Sequence, residues 1–98
     1  MLIRTVRMTF REEEVENFQS VFEASKEKIR HFPGCRHLEL WQDFHTPNVF
    51  LTYSHWDDAA ALDGYRHSEL FESVWAKTKV LFQEKPVAFS SKQLQKIN

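Results

Sequence analysis

Few residues in this chain can staple a fold, break it or charge it in one direction. It has a single cysteine, Cys35, so no intramolecular disulfide can form and a metal site of the CxxC type is excluded. The two glycines and three prolines each mark a segment boundary, and no repeat, low-complexity run or Gly/Ser linker intervenes. One domain over residues 1–98 is expected, closing on a polar tail from about 93 to 98. No charge of one sign dominates: 13 basic residues are scattered among 14 acidic ones, which argues against a nucleic-acid surface. A long apolar run is missing too. The opening MLIRTVRMTF carries Arg4 and Arg7 inside its apolar stretch, unlike a signal peptide or a membrane span. These absences lead to the expectation of a soluble, cytoplasmic protein with no membrane or nucleic-acid partner.

Aromatic residues are abundant. Nine Phe and three Trp supply large side chains to line a pocket that so short a chain could not otherwise enclose. Residues 2–10 alternate, with Leu2, Arg4, Val6, Met8 and Phe10 on one face, which is strand period. From Glu12 the residues Val15, Phe18, Phe22, Ser25, Ile29 and Phe32 fall on one helical stripe, with acidic residues in the first turn and Lys26, Lys28 and Arg30 near the last. Pro33-Gly34 ends this helix. Two strands, Cys35 to Gln42 and Asn48 to Trp56, follow around the turn DFHTPN and should pair as a hairpin. Asp57 is expected to cap a short helix stopped at Gly64. Ser68 should cap a longer one with Leu70, Phe71, Val74, Trp75, Thr78, Leu81 and Phe82 on one face. Pro86 opens a last strand from Val87 to about Lys92.

The order β-α-β-β-α-β, with its second helix broken in two, predicts an α+β ferredoxin-like fold with an antiparallel sheet. The third strand is apolar on both faces, Phe50 and Trp56 against Val49, Leu51 and Tyr53, and Trp41 agrees with it. A twofold homodimer with sheets packed together accounts for the second face. An edge of exposed hydrophobes is the alternative.

The run Tyr53-x-x-Trp56, then Asp57-Asp58 with Leu62 and Tyr65, then His67-Ser68 and Phe71, resembles the antibiotic biosynthesis monooxygenase family. That resemblance covers nearly the whole chain and implies a dimeric α+β barrel. Characterised members of the family oxidise quinols, anthrones or haem with molecular oxygen, several with no bound metal or flavin. The likeness makes Trp56 a pocket-lining residue. The asparagine that the haem-degrading branch carries on its first strand is replaced here by Val6, which argues against haem degradation of that type.

Oxygenation without a cofactor needs a base, an anion stabiliser and a dry pocket of the right shape. His67 is the best base by its ordinary pKa and Tyr65 the second proton-handling group; their plainer readings are a solvent-facing residue and a packed ring. Arg4 and Arg36, whose strand parity puts them on the side of Trp56, are the candidate anion stabilisers, unless each reaches past the apolar face to water. Trp56, Phe71 and Trp75 would hold the ring of a small aromatic substrate, with Trp56 offering its N–H as a donor. A second group, His37 opposite His55 with Glu39 opposite Tyr53, lies on the face away from the helices and matches no defined metal motif. Cys35 reads as a small buried residue, or as a thiol activated by Arg36 and His37. Cofactor-free oxidation of a small aromatic molecule is the expected function. A non-catalytic ligand-binding or sensing dimer is the alternative, and haem held through another residue such as His67 a third.

Overall fold

The computed structural model describes residues 1–98. Its elements run β1 (Leu2–Thr9), a 3-10 turn (Glu12–Glu14), α1 (Val15–Arg30), β2 (Cys35–Gln42), β3 (Val49–Trp56), α2 (Ala59–Arg66), α3 (Glu69–Lys79) and β4 (Val87–Ser91). The strands form one antiparallel sheet in the order β2-β3-β1-β4, the ferredoxin-like arrangement. No helix is long and apolar enough to cross a membrane.

Register decides what each face presents. Leu2 lies opposite Trp56, Arg4 opposite Ser54 and Met8 opposite Phe50, so the even residues of β1 meet the even residues of β3. That inner face is covered by the helices. Met8, Phe10, Phe18, Phe50 and Leu81 make one buried cluster, in which the Phe10 and Phe18 rings stack 4.1 Å apart. Burying each such ring contributes roughly 2–3 kcal/mol. Cys35, Trp56 and Leu62 make a second buried cluster at the other end of the sheet. The outer face has no helix on it, and Trp41, Val87 and Phe89 stand exposed there.

Local chemistry moves several boundaries from their expected places. The acidic run Glu12–Glu14 forms the 3-10 turn and α1 begins at Val15. The N-cap of α2 is Asp58, whose Oδ1 accepts from the Ala61 N–H at 2.8 Å. Asp57 is unavailable because its carboxylate holds Arg36. Gly64 does not stop α2. Its helical backbone costs about 1 kcal/mol relative to alanine, and the helix continues to Arg66. Ser68 caps α3 as expected, accepting from the Phe71 N–H at 3.1 Å, but α3 ends at Lys79 and leaves Leu81 and Phe82 beyond it. Phe82 bridges to Phe10 instead.

Gly34 ties the end of α1 to α2. Its φ is +89°, and a Cβ there would stand 2.5 Å from the Ala61 Cβ. Only glycine fits both the conformation and the contact.

Candidate active site

A cavity of about 310 Å³ lies between the inner face of the sheet and the three helices. β1 contributes Arg4, Val6 and Met8, and β3 contributes Thr52, Ser54 and Trp56. Leu62, Tyr65 and Arg66 of α2, with Phe71, Val74, Trp75 and Thr78 of α3, form the opposite wall. The three α2 residues are spaced i, i+3 and i+4, which places them on one helical face.

The aromatic side chains form a continuous series. Trp56 stacks on Tyr65 at 4.9 Å, Tyr65 meets Phe71 edge-on at 5.2 Å, and Phe71 stacks on Trp75 at 5.7 Å. Trp56 is only 1% exposed, and its indole N–H donates to Ser54 Oγ at 3.0 Å. The indole therefore shapes one end of the cavity with its hydrogen-bonding capacity already used. This corrects the expectation that its N–H is free for a ligand.

Tyr65 is half-buried, and burial, aided by the nearby Cys35 sulfur, pushes its pKa up to about 12. At neutral pH it is a phenol that can donate a hydrogen bond and does not act as a base. Arg4 donates to Ser90 Oγ at 3.2 Å. Its pKa is lowered by burial and, secondarily, by the positive charge of Arg66. Two arginines therefore line one mostly apolar space.

Of the residues picked from sequence, the structure brings Arg4, Trp56, Tyr65, Phe71 and Trp75 to the cavity. His67 and Arg36 are not among the lining residues. His67 is the exposed C-cap of α2, and its Nδ1–H donates to the Asp63 carbonyl at 2.8 Å. Arg36 is displaced by a β-bulge between Cys35 and His37, which gives the inward position opposite Trp56 to Cys35. The expelled guanidinium forms a two-point pair with Asp57 at 2.7 and 2.9 Å; this raises the Arg36 pKa and lowers that of Asp57. Cys35 is buried, and desolvation raises its pKa, which keeps the thiol protonated.

Among the cavity residues that escaped the sequence reading are Arg66 and Ser54. Helical spacing from Leu62 and strand spacing from Trp56 both carried the signal. On the outer face His37 does lie opposite His55 and Glu39 opposite Tyr53. Glu39 is engaged by His37 and by the Trp41 indole N–H, the latter at 2.8 Å, and burial lowers the pKa of His55. These side chains do not group as three potential ligands around one point.

The family model described as antibiotic biosynthesis monooxygenase matches residues 1–77. No curated protein matches the chain. Among solved structures, an antibiotic biosynthesis monooxygenase is 21% identical with a TM-score of 0.90, the alignment covering 97% of this chain and 100% of that one. PA3566 from Pseudomonas aeruginosa is 23% identical with a TM-score of 0.85, over 96% and 94% of the two chains. Rv0793 from Mycobacterium tuberculosis is 16% identical with a TM-score of 0.88, over 99% and 98%. At these identities the structures share the fold.

Proposed function

The chain belongs to the antibiotic biosynthesis monooxygenase family, and from that premise we propose that its cavity oxidises a small electron-rich aromatic molecule, a quinol, an anthrone or a polyketide-like phenol, with molecular oxygen and without a metal or flavin. The observation that carries this reading is the aromatic series Trp56, Tyr65, Phe71 and Trp75 around a space that Arg4 and Arg66 also line. Substrate oxidation of this kind begins with an anion that can give an electron to oxygen. A positive field in a mostly apolar cavity lowers the pKa of a bound phenol or acidic carbon. The proton leaves to water on the side of exposed Arg66, and Tyr65 donates a hydrogen bond to the substrate oxygen. For an anthrone the balance is one oxygen molecule consumed, one atom kept in the new carbonyl and the other released as water with the two hydrogens of the oxidised carbon.

The proposal includes a homodimer. Trp41, Val87 and Phe89 on the uncovered outer face support a second sheet packed against it. Haem is a weaker reading, because no histidine lines the cavity to serve as an axial ligand.

One observation favours a non-catalytic ligand-binding dimer as the second reading: with His67 outside and the Tyr65 pKa pushed up to about 12, the cavity lining holds no histidine, Asp or Glu to serve as a base. Oxygen uptake with a panel of hydroquinones and anthrones separates the two, with autoxidation subtracted. Protein-dependent uptake that falls in Trp56→Phe supports the oxygenase. No uptake across the panel favours the binding module.

A further inference from the structure

We infer that the cavity takes an aromatic acid, with a carboxylate on the ligand's ring held between the guanidiniums of Arg4 and Arg66 and the ring lying along Tyr65 and Trp75. This rests on the reading of the cavity as the ligand site, and it names the class of molecule that enters.

Charge at the cavity is unbalanced. No Asp or Glu lines the cavity, although the chain as a whole is slightly acidic. Elsewhere Arg11 pairs with Glu13 and Glu14 and Arg36 pairs with Asp57, while Arg30 donates to the Cys35 carbonyl and Arg7 forms no ion pair. Arg4 has only the neutral Ser90 hydroxyl as a side-chain partner, and Arg66 forms no ion pair or side-chain hydrogen bond. Two like charges that come together beside an apolar cavity repel one another and lose hydration. A bound anion reverses both costs.

Geometry narrows the anion. The guanidiniums come from separate elements, the first half of β1 and the last turn of α2. A single ionised phenol oxygen needs only one such partner, whereas the two oxygens of a carboxylate suit two planar forks. A phosphate is less well suited, because no glycine borders the cavity to let backbone N–H groups approach it. The adjoining walls are aromatic, so the carboxylate is joined to a flat ring.

Calorimetric titration with 2-naphthoate and its neutral isostere 2-naphthamide tests this. Neither probe is a quinol or an anthrone, so the readout is binding alone. Wild type should bind the acid on the order of ten-fold more tightly or better, and added salt should erode the difference. In Arg66→Gln the preference should collapse while naphthamide affinity stays the same. Arg66 is exposed, so this variant keeps the fold; Arg4→Gln, checked by circular dichroism, should show the same collapse. Equal binding of the two probes, no binding of either, or a preference that survives both substitutions overturns the inference. Its failure is distinguishable from that of the oxygenase reading. Turnover of neutral quinols with no acid preference sinks the carboxylate site alone, and an acid preference without oxygen uptake on any substrate sinks the oxygenase alone.

Discussion

The indole N–H of Trp56 is held by Ser54 Oγ at 3.0 Å, two residues back on the same face of β3. The Ser54 hydroxyl in turn lies 3.5 Å from the Arg4 carbonyl on the neighbouring strand. A buried tryptophan at the end of a strand is thereby held against Tyr65 of the covering helix α2. Removing the hydroxyl leaves a buried donor without an acceptor, which costs about 1–3 kcal/mol. Ser54→Ala should therefore lower the thermal midpoint by several degrees. Trp56→Phe removes the donor as well and should destabilise through lost packing. Thermal unfolding of the two single variants and the double variant checks the coupling. Purely additive losses would show that the bond contributes nothing.

Tyr65 carries a pH signature. Its folded pKa of about 12 stands above its ordinary value of 10 because burial disfavours the phenolate. The contribution to stability is fully present below pH 10, where the tyrosine is neutral in both states, and is lost as pH rises from 10 through about 12. Absorbance titration of the phenolate should show one of the two tyrosines ionising late, and Tyr65→Phe should abolish that step. Two steps near the ordinary value would contradict the burial of its hydroxyl end.

Arg36 and Arg4 were indistinguishable by strand parity, and the β-bulge separates them. Arg36→Ala should leave oxygen uptake and ligand affinity unchanged and lower the thermal midpoint only slightly, since its pair with Asp57 is exposed to solvent. Arg4→Gln should weaken ligand affinity and turnover together. Equal effects of the two substitutions would mean that the bulge does not hold in solution.

Much of this fold was legible from period alone. The alternation through β1, the stripe of Phe18, Ser25 and Ile29 on α1, and the His37 to His55 register all stand as the pattern implies. What escaped was set by single contacts that no period encodes. Arg36 left the inner face because one extra residue was inserted before His37. The α2 cap fell to Asp58 because Asp57 had a stronger partner in Arg36. His67 reads as a base from its pKa class, yet two more residues of helix leave it in solvent and bring Arg66 to the cavity. A helix boundary uncertain by two residues is enough to exchange a histidine for an arginine in a site.

Gly34 tests how the second cluster is assembled. Gly34→Ala imposes a positive φ on a residue with a Cβ and drives that carbon into Ala61. The conformational part alone costs on the order of 1–2 kcal/mol. Adding Ala61→Gly relieves the steric part and leaves the backbone part. Denaturant unfolding should therefore show a partial rescue in the double variant, whereas full rescue would mean that the φ of residue 34 carries no cost.

The uncovered sheet face should be a dimer interface. Val87 and Phe89 are 55% and 50% exposed and lie on the same side as Trp41. Placing charge there costs nothing in an isolated chain, where both side chains face water. In a dimer of stacked sheets the same charges are buried against apolar groups, at several kcal/mol each unless they are paired. Light scattering on the wild type should give twice the 11.7 kDa of one chain, and Val87→Lys with Phe89→Lys should give a single chain with unchanged circular dichroism. A monomeric wild type would remove the dimer from the proposal. The cavity on the opposite face is complete within one chain, so ligand binding by the monomeric variant should persist.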